Sequence, residues 1–219
     1  MKEHIVWFLR KFTLRNLSCR ARMIMEGIRG LDFTSTLEPE EVGLDPQLFH
    51  RCSPSGNKYL VNLLNDIGPN EQDAILDIGA GKGSAMYTML SFPFERVDGI
   101  EISERIADIA KRNFVRLKAS RAHVYQADAR AFEHYARYNI FYFYNPFPLQ
   151  VMLQVIDAIR QASMAADKEV LIIYNNPSCH DLIVADGVFT MHREYPDEWG
   201  NRIFVYSNRV IEHSRLAKA

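Results

Sequence analysis

Cysteine is scarce and scattered in this 219-residue chain: Cys19, Cys52 and Cys179 lie far apart, with no C-x-x-C spacing and no histidine pair at metal-ligand intervals. Neither a disulfide framework nor a metal site is readable from them. Net charge is scarce too. The 26 Lys and Arg stand against 27 Asp and Glu, whereas a domain built to bind nucleic acid over much of its surface is usually strongly basic. There is no internal repeat, no low-complexity tract and no small-residue cleavage site after the first apolar stretch, which Arg10 and Lys11 interrupt. A secretory signal is not expected, and a cytoplasmic location is the default expectation. One uncharged stretch, the 19 residues from Tyr138 to Ile156, approaches the length of a membrane span. It contains Pro146, Pro148 and four amide side chains, which predict a buried strand, a turn and a helix, and no transmembrane segment.

What is present is 47% hydrophobic residues in a length suited to one domain with a real core. From Ala74 onward, short apolar runs alternate with segments of helical period, the pattern of a parallel sheet built from βαβ units. "AILDI" (74–78) precedes a helix near 83–91, and "RVDGI" (96–100) precedes one that starts after Ser103, an N-cap followed by Glu104. "AHVYQ" (122–126) leads to a short helix near 129–136, "NIFYFY" (139–144) to one near 149–165, and "EVLIIY" (169–174) to a loop and a short helix around 179–185. The runs lack polar alternation, as strands covered on both faces do. "VFTMHREY" (188–195) and "RIFVYSN" (202–208) are too close for a helical crossover and should pair antiparallel. The expected fold is α/β: a doubly wound, mostly parallel seven-stranded sheet with a C-terminal antiparallel hairpin, plus N-terminal helices. Residues 1–55 read as a basic helical arm and an acidic connecting segment, residues 56–219 as the Rossmann-like domain, with a helix from about Gly56 to Ile67 that Ser55 could cap.

The most informative residues are "ILDIGAGKG", 75–83. A strand enters a turn carrying Gly79, Gly81 and Gly83, and a helix follows at once, so bare backbone can approach a ligand at a helix N-terminus. A P-loop would need Ser or Thr after Gly81-Lys82, where Gly83 stands; a dinucleotide fingerprint would need glycine at Ser84. The spacing that does fit is D-x-G-x-G-x-G, carried by Asp77, Gly79, Gly81 and Gly83.

This pattern resembles motif I of the class I S-adenosylmethionine-dependent methyltransferases, and the elements that follow it agree. Glu101 ends the second strand, where the resemblance implies bidentate acceptance from the ribose hydroxyls, with Ile102 beside it. Asp128, followed by Ala129, sits where the family holds the adenine amine, and Asp77 would hold the methionine ammonium directly or through water. The three carboxylates fall at the C-terminal ends of successive strands, the edge where open α/β sheets bind ligands. A short-chain dehydrogenase would need a Tyr-x-x-x-Lys pair, and there is none. More narrowly, the chain is similar to bacterial members of undefined acceptor with an "NPF" motif IV, a "YxNP" ending of strand five and a segment like "SPSGNKYL"; that similarity implies that Pro54 and Ser55 lie over the cofactor.

The candidate catalytic residues are Asn145, Pro146 and Phe147, in "YNPFP" after the fourth strand. They resemble the Asn-Pro-Pro-Tyr/Phe motif of amine-directed members, with Phe147 in place of the second proline. Transfer from a sulfonium is an in-line displacement with an activated leaving group, so positioning can supply much of the rate. The Asn145 side-chain oxygen and the Asn145 or Pro146 carbonyl can accept two N–H bonds of an amine, while Phe147 stacks on a planar acceptor or faces a cation. An Asx turn ending the strand explains the same residues structurally. His180, after the fifth strand, could serve as a base but reads more simply as a polar loop residue. The expected activity is S-adenosylmethionine-dependent methyl transfer to an amine on an unidentified small molecule, protein or nucleobase, with no metal; the alternative is a scaffold that binds the cofactor or its product without turnover.

The near-zero net charge is a sum of unlike parts. Residues 1–30 hold seven basic against two acidic side chains, a net of +5, while residues 31–50 carry five carboxylates and no Lys or Arg. A solvated helix leaning on the acidic stretch is one explanation. The other is contact of the arm with an anionic membrane surface, nucleic acid or a partner.

Overall fold

The computed structural model describes residues 14–45, 51–165, 168–197, 200–210 and 213–218. The expectations for residues 1–13 lie outside them. In chain order the helices are α1 (Leu14–Ile28), α2 (Lys58–Ile67), α3 (Ser84–Met89), α4 (Glu104–Arg116), α5 (Leu149–Ala165) and α6 (His180–Val184). The strands are β1 (Ala74–Ile78), β2 (Arg96–Glu101), β3 (Ala122–Gln126), β4 (Ile140–Tyr144), β5 (Leu171–Asn175), β6 (Thr190–Pro196) and β7 (Arg202–Ser207). They form one seven-stranded sheet in the order β3-β2-β1-β4-β5-β7-β6. Neighbours are parallel except at β7, which runs antiparallel to both β5 and β6. The hairpin therefore does not simply extend the sheet: its second strand inserts between its first strand and β5.

Successive residues of a strand point to opposite faces, so each apolar run feeds two cores. Ile75, Tyr142, Leu171 and Ile173 pack with α2, α3 and α4 on one face. Leu76, Ile78, Phe141, Phe143 and Ile172 pack with α5 and α6 on the other. The strand order reverses between β1 and β4, the switch point where the carboxyl ends of an open sheet leave a crevice.

Two local expectations need correction. The segment 129–136 is not one helix but two single 3-10 turns, Ala129–Ala131 and Tyr135–Arg137. The Asp128 carboxylate caps the Arg130 amide, and the Tyr135 hydroxyl donates to the Ala129 carbonyl at 2.6 Å, which diverts an oxygen that a continuing helix would use. Ser55 is not the cap of α2: Asn57 is, its Oδ1 accepting from the Tyr59 and Leu60 amides at 2.9 and 3.2 Å. Ser103 caps α4 as expected, accepting from the Ile106 amide.

The acidic segment folds back onto the body. Lys82, buried beside the glycine turn, donates to the Asp32 carboxylate at 2.7 Å and to the Ser35 hydroxyl. Asn113 of α4 clasps both sides of this joint, donating to the Asp32 and Lys82 carbonyls and accepting from the Asp32 amide. Burial would raise the Asp32 pKa, but Lys82 and Ser35 overcome it and hold the carboxyl below its ordinary value. Lys82→Ala is expected to cost about 2 kcal/mol in urea unfolding, the worth of one charged hydrogen-bonded contact, and to make residues 32–45 sensitive to limited proteolysis while the sheet stays resistant.

Candidate active site

A cavity opens at the carboxyl ends of β1, β2 and β4. Its floor is the glycine turn, with Gly79, Ala80 and Gly81; one wall is Glu101, Ile102, Asp128 and Ala129; the other is Tyr144, Pro146 and Phe147. These elements, separate in the chain, meet because the parallel register brings Asp77 beside Gly99 on one side and Tyr142 on the other.

The turn is shaped by glycine where glycine is needed. Gly79 has φ 82°, and a Cβ there would come within 2.6 Å of the Pro146 Cβ. Gly83 caps α3 in the left-handed region, and a Cβ on it would meet the Phe114 ring at 2.6 Å. Gly83 thus supports the turn from the α4 side, while Gly79 lets the Asn-Pro-Phe turn close upon it.

Glu101 is 8% exposed and acts as a clasp. One carboxylate oxygen accepts from the Gly81 amide at 3.0 Å, the other from the Ser103 amide at 2.9 Å. Burial raises its pKa, and the Ser103, Gly81 and Ile102 amides pull against that rise. Asp77 lies beneath the turn, fully enclosed, and its Oδ2 has no protein partner. Burial, with the Glu101 charge adding to it, pushes its pKa up to about 8. The Tyr142 hydroxyl and Asn175 Oδ1 are also buried without a hydrogen-bond partner. Asn175 and Ser55 stand beside Tyr142, so the cluster leaves several polar atoms unsatisfied under the cavity floor. Buried polar atoms are rarely left so without a ligand, ion or water to meet them.

Asp128 stands at the rim, paired with Arg130 at 2.5 Å, which holds its carboxyl below the ordinary range. Asn145 has φ 39°, and its side-chain oxygen accepts from the Ser178 hydroxyl at 2.6 Å and more weakly from Tyr174 at 3.3 Å. Its neighbours Tyr144 and Pro146 line the cavity. His180 begins α6 and packs on Phe204 and Tyr206, with Nδ1 2.9 Å from the Tyr206 hydroxyl, a structural setting.

Part of the wall was not foreseen. Leu37, Pro39, Val42, Leu44, Arg51 and Cys52 cover the cavity from the acidic segment. Reciprocal backbone bonds between Leu37 and Cys52 close the base of this loop, and Arg105 of α4 donates to the Glu41 carbonyl. Ser53 and Ser55 also line the cavity. The available signal was the apolar residues interleaved among the carboxylates.

Among the described residues no cluster of three or more His, Cys, Asp or Glu could hold a metal ion, and no helix is long and apolar enough to cross a membrane. A sequence-family model described as a methyltransferase domain matches residues 75–165. A comparison with curated proteins returns no match. Among solved structures, an rRNA methylase from Streptococcus thermophilus superposes with a TM-score of 0.53 at 12% identity, covering 70% of this chain and 98% of that one. An S-adenosylmethionine-dependent methyltransferase from Aquifex aeolicus gives 0.52 at 13% identity, covering 68% and 88%. An RNA methyltransferase from Salinibacter ruber in complex with S-adenosylhomocysteine gives 0.52 at 15%, covering 70% and 92%. At these identities the structural likeness speaks for the fold; the family match supplies the chemistry. Residues 75–165 thus match a methyltransferase domain, and the seven-stranded topology with its motif I turn is the class I S-adenosylmethionine-dependent methyltransferase fold.

Proposed function

We propose that the enzyme methylates a neutral amine, held between the glycine turn and the Asn145-Pro146-Phe147 turn. The observation that supports this reading is the close packing of Pro146 against Gly79, between the turn proposed for the acceptor and the turn proposed for the cofactor. On the cofactor side, Asp77 and its unpartnered Oδ2 suit the methionine ammonium, Glu101 the ribose hydroxyls and Asp128 the adenine amine, with Ile102 and Ala129 as flanking walls. Gly79, Gly81 and Gly83 give the backbone its close approach. S-adenosylmethionine supplies an activated methyl group, so the protein's task is to orient the acceptor and exclude water.

On the acceptor side, the cavity wall from residue 144 to 154 comprises Tyr144, Pro146, Phe147, Gln150, Val151 and Gln154, without carboxylate or imidazole. Such a wall suits a nucleophile that arrives with its own lone pair. The Asn145 and Pro146 carbonyls accept its N–H bonds, Phe147 supplies an apolar face, and Ser178 fixes the Asn145 side chain. The RNA-directed enzymes among the structural neighbours are reason to include RNA in an acceptor screen.

Radiolabelled methyl transfer into a fractionated lysate tests the reading. The label should survive mild alkali, as N-methyl groups do and carboxyl methyl esters do not. Asn145→Ala is expected to lower kcat/KM about 100-fold, the scale of a misplaced reactant, with cofactor affinity unchanged. Undiminished incorporation by that variant removes the Asn145 side chain from the acceptor site, and alkali-labile label moves the acceptor to oxygen.

A further inference from the structure

Helix α1 presents an exposed apolar surface. From Ser18 onward every residue of this helix is exposed except Glu26, which is half-buried. Glu26 explains how the helix is attached: its carboxylate accepts from the Phe33 and Thr34 amides at 2.9 Å each and from the Thr34 hydroxyl at 2.6 Å. The helix is thus moored to the body by its polar side. At 100° per residue, Ala21, Ile24, Met25 and Ile28 fall within an arc of about 100° on the opposite side. Ile24 is 64% exposed, Met25 59% and Ile28 76%. Soluble helices turn such a stripe inward; here it faces away from the sheet.

The charges around the stripe are of one sign. Arg20 lies on one flank, Arg22 and Arg29 on the other, all three exposed. The helix carries a single acidic residue, Glu26, and that one is engaged by donors from the body. Against a second copy of itself the stripe would bring arginines toward arginines, which opposes pairing. Nucleic acid would satisfy the arginines and leave the isoleucines and methionine in water. An anionic bilayer surface meets both demands, because aliphatic side chains enter the acyl boundary while flanking arginines reach the lipid phosphates. Among the described residues no helix is long and apolar enough to cross the bilayer, so the docking considered for α1 is in the interface plane.

We propose that α1 docks the enzyme on anionic lipid membranes, with Ile24, Met25 and Ile28 inserted and Arg20, Arg22 and Arg29 at the headgroups. The inference is independent of the acceptor chemistry.

Flotation of the full chain with vesicles of phosphatidylcholine alone, or with about one third phosphatidylglycerol, tests it. Salt-sensitive co-flotation with the anionic vesicles only is expected, since each basic residue near such a surface adds attraction. Ile24→Glu with Ile28→Glu should abolish it, and Arg20→Glu with Arg22→Glu should weaken it about tenfold or more. Calorimetric affinity for S-adenosylmethionine, unchanged in both variants, verifies that they are folded. No flotation of the wild type, a dimer in light scattering that the isoleucine variant dissolves without any vesicle binding, or RNA binding without vesicle binding would each overturn the proposal.

Discussion

Glu101→Ala is expected to weaken S-adenosylmethionine binding by about 100-fold or more, since a hydrogen bond to a charged group is worth roughly 1.5–3 kcal/mol and several are lost together. The substitution releases the Gly81 amide and the Ser103 amide at once, so it frees the glycine turn from the end of β2 as well as removing the acceptor for the ribose. Glu101→Gln separates the two functions. Its amide group must face one of those backbone N–H groups, donor against donor, while the other oxygen is kept. Calorimetry should place it between wild type and alanine. If both variants bind within about threefold of wild type, Glu101 is a clasp for the turn and not a ligand of the cofactor.

Asp77→Asn is expected to change stability and affinity in opposite directions. Burial, aided by the Glu101 charge, raises the Asp77 pKa to about 8 in the folded chain, from 3.8. A raised carboxyl pKa means that the folded state binds a proton the unfolded state has released. The stabilising contribution is full below about pH 4 and is lost as pH rises to about 8. Asparagine needs no proton, so without cofactor the variant should melt several degrees above wild type near pH 8, and the two curves should merge below about pH 4. A cationic ligand reverses the preference by favouring the carboxylate. Wild-type binding should therefore release protons near pH 7, visible as heats that depend on the ionisation enthalpy of the buffer. The variant should bind more weakly and show no such dependence. Equal pH profiles for the two proteins would mean that Asp77 is ionised, or otherwise satisfied, before the ligand arrives.

The parts of the molecule legible in the sequence are those in which a local pattern and its structural role coincide. The apolar runs at 74–78 and 139–144 read as strands covered on both faces, and the spacing of Gly79, Gly81 and Gly83 marked the turn between a strand and a helix. The cavity cover was hidden because its supports act across long distances. Lys82 reads as one more residue of a glycine-rich turn until its partner, Asp32, appears 50 positions earlier. Tyr142 reads as core, and it is buried in the core, but its hydroxyl belongs with Asp77 and Asn175 under the cavity. The interval 129–136 has the composition of a helix, and only the Tyr135 hydroxyl turning back on the Ala129 carbonyl divides it. For the same reason the residues before position 56 that line the cavity, Leu37 to Ser55, carry no local mark of that role.

The insertion of β7 between β5 and β6 sets the order in which the sheet can be completed. β6 is synthesised first, yet it cannot pair with β5, because the place beside β5 belongs to residues 202–207. Until those residues arrive, the apolar edge of Leu171–Asn175 has no hydrogen-bonding neighbour on that side. An open apolar edge is a template for pairing between chains. The hairpin thus covers the apolar edge of β5 and leaves the more polar β6 at the sheet's end, and shortening it within 202–207 should appear first as lost soluble yield and only later as lost activity.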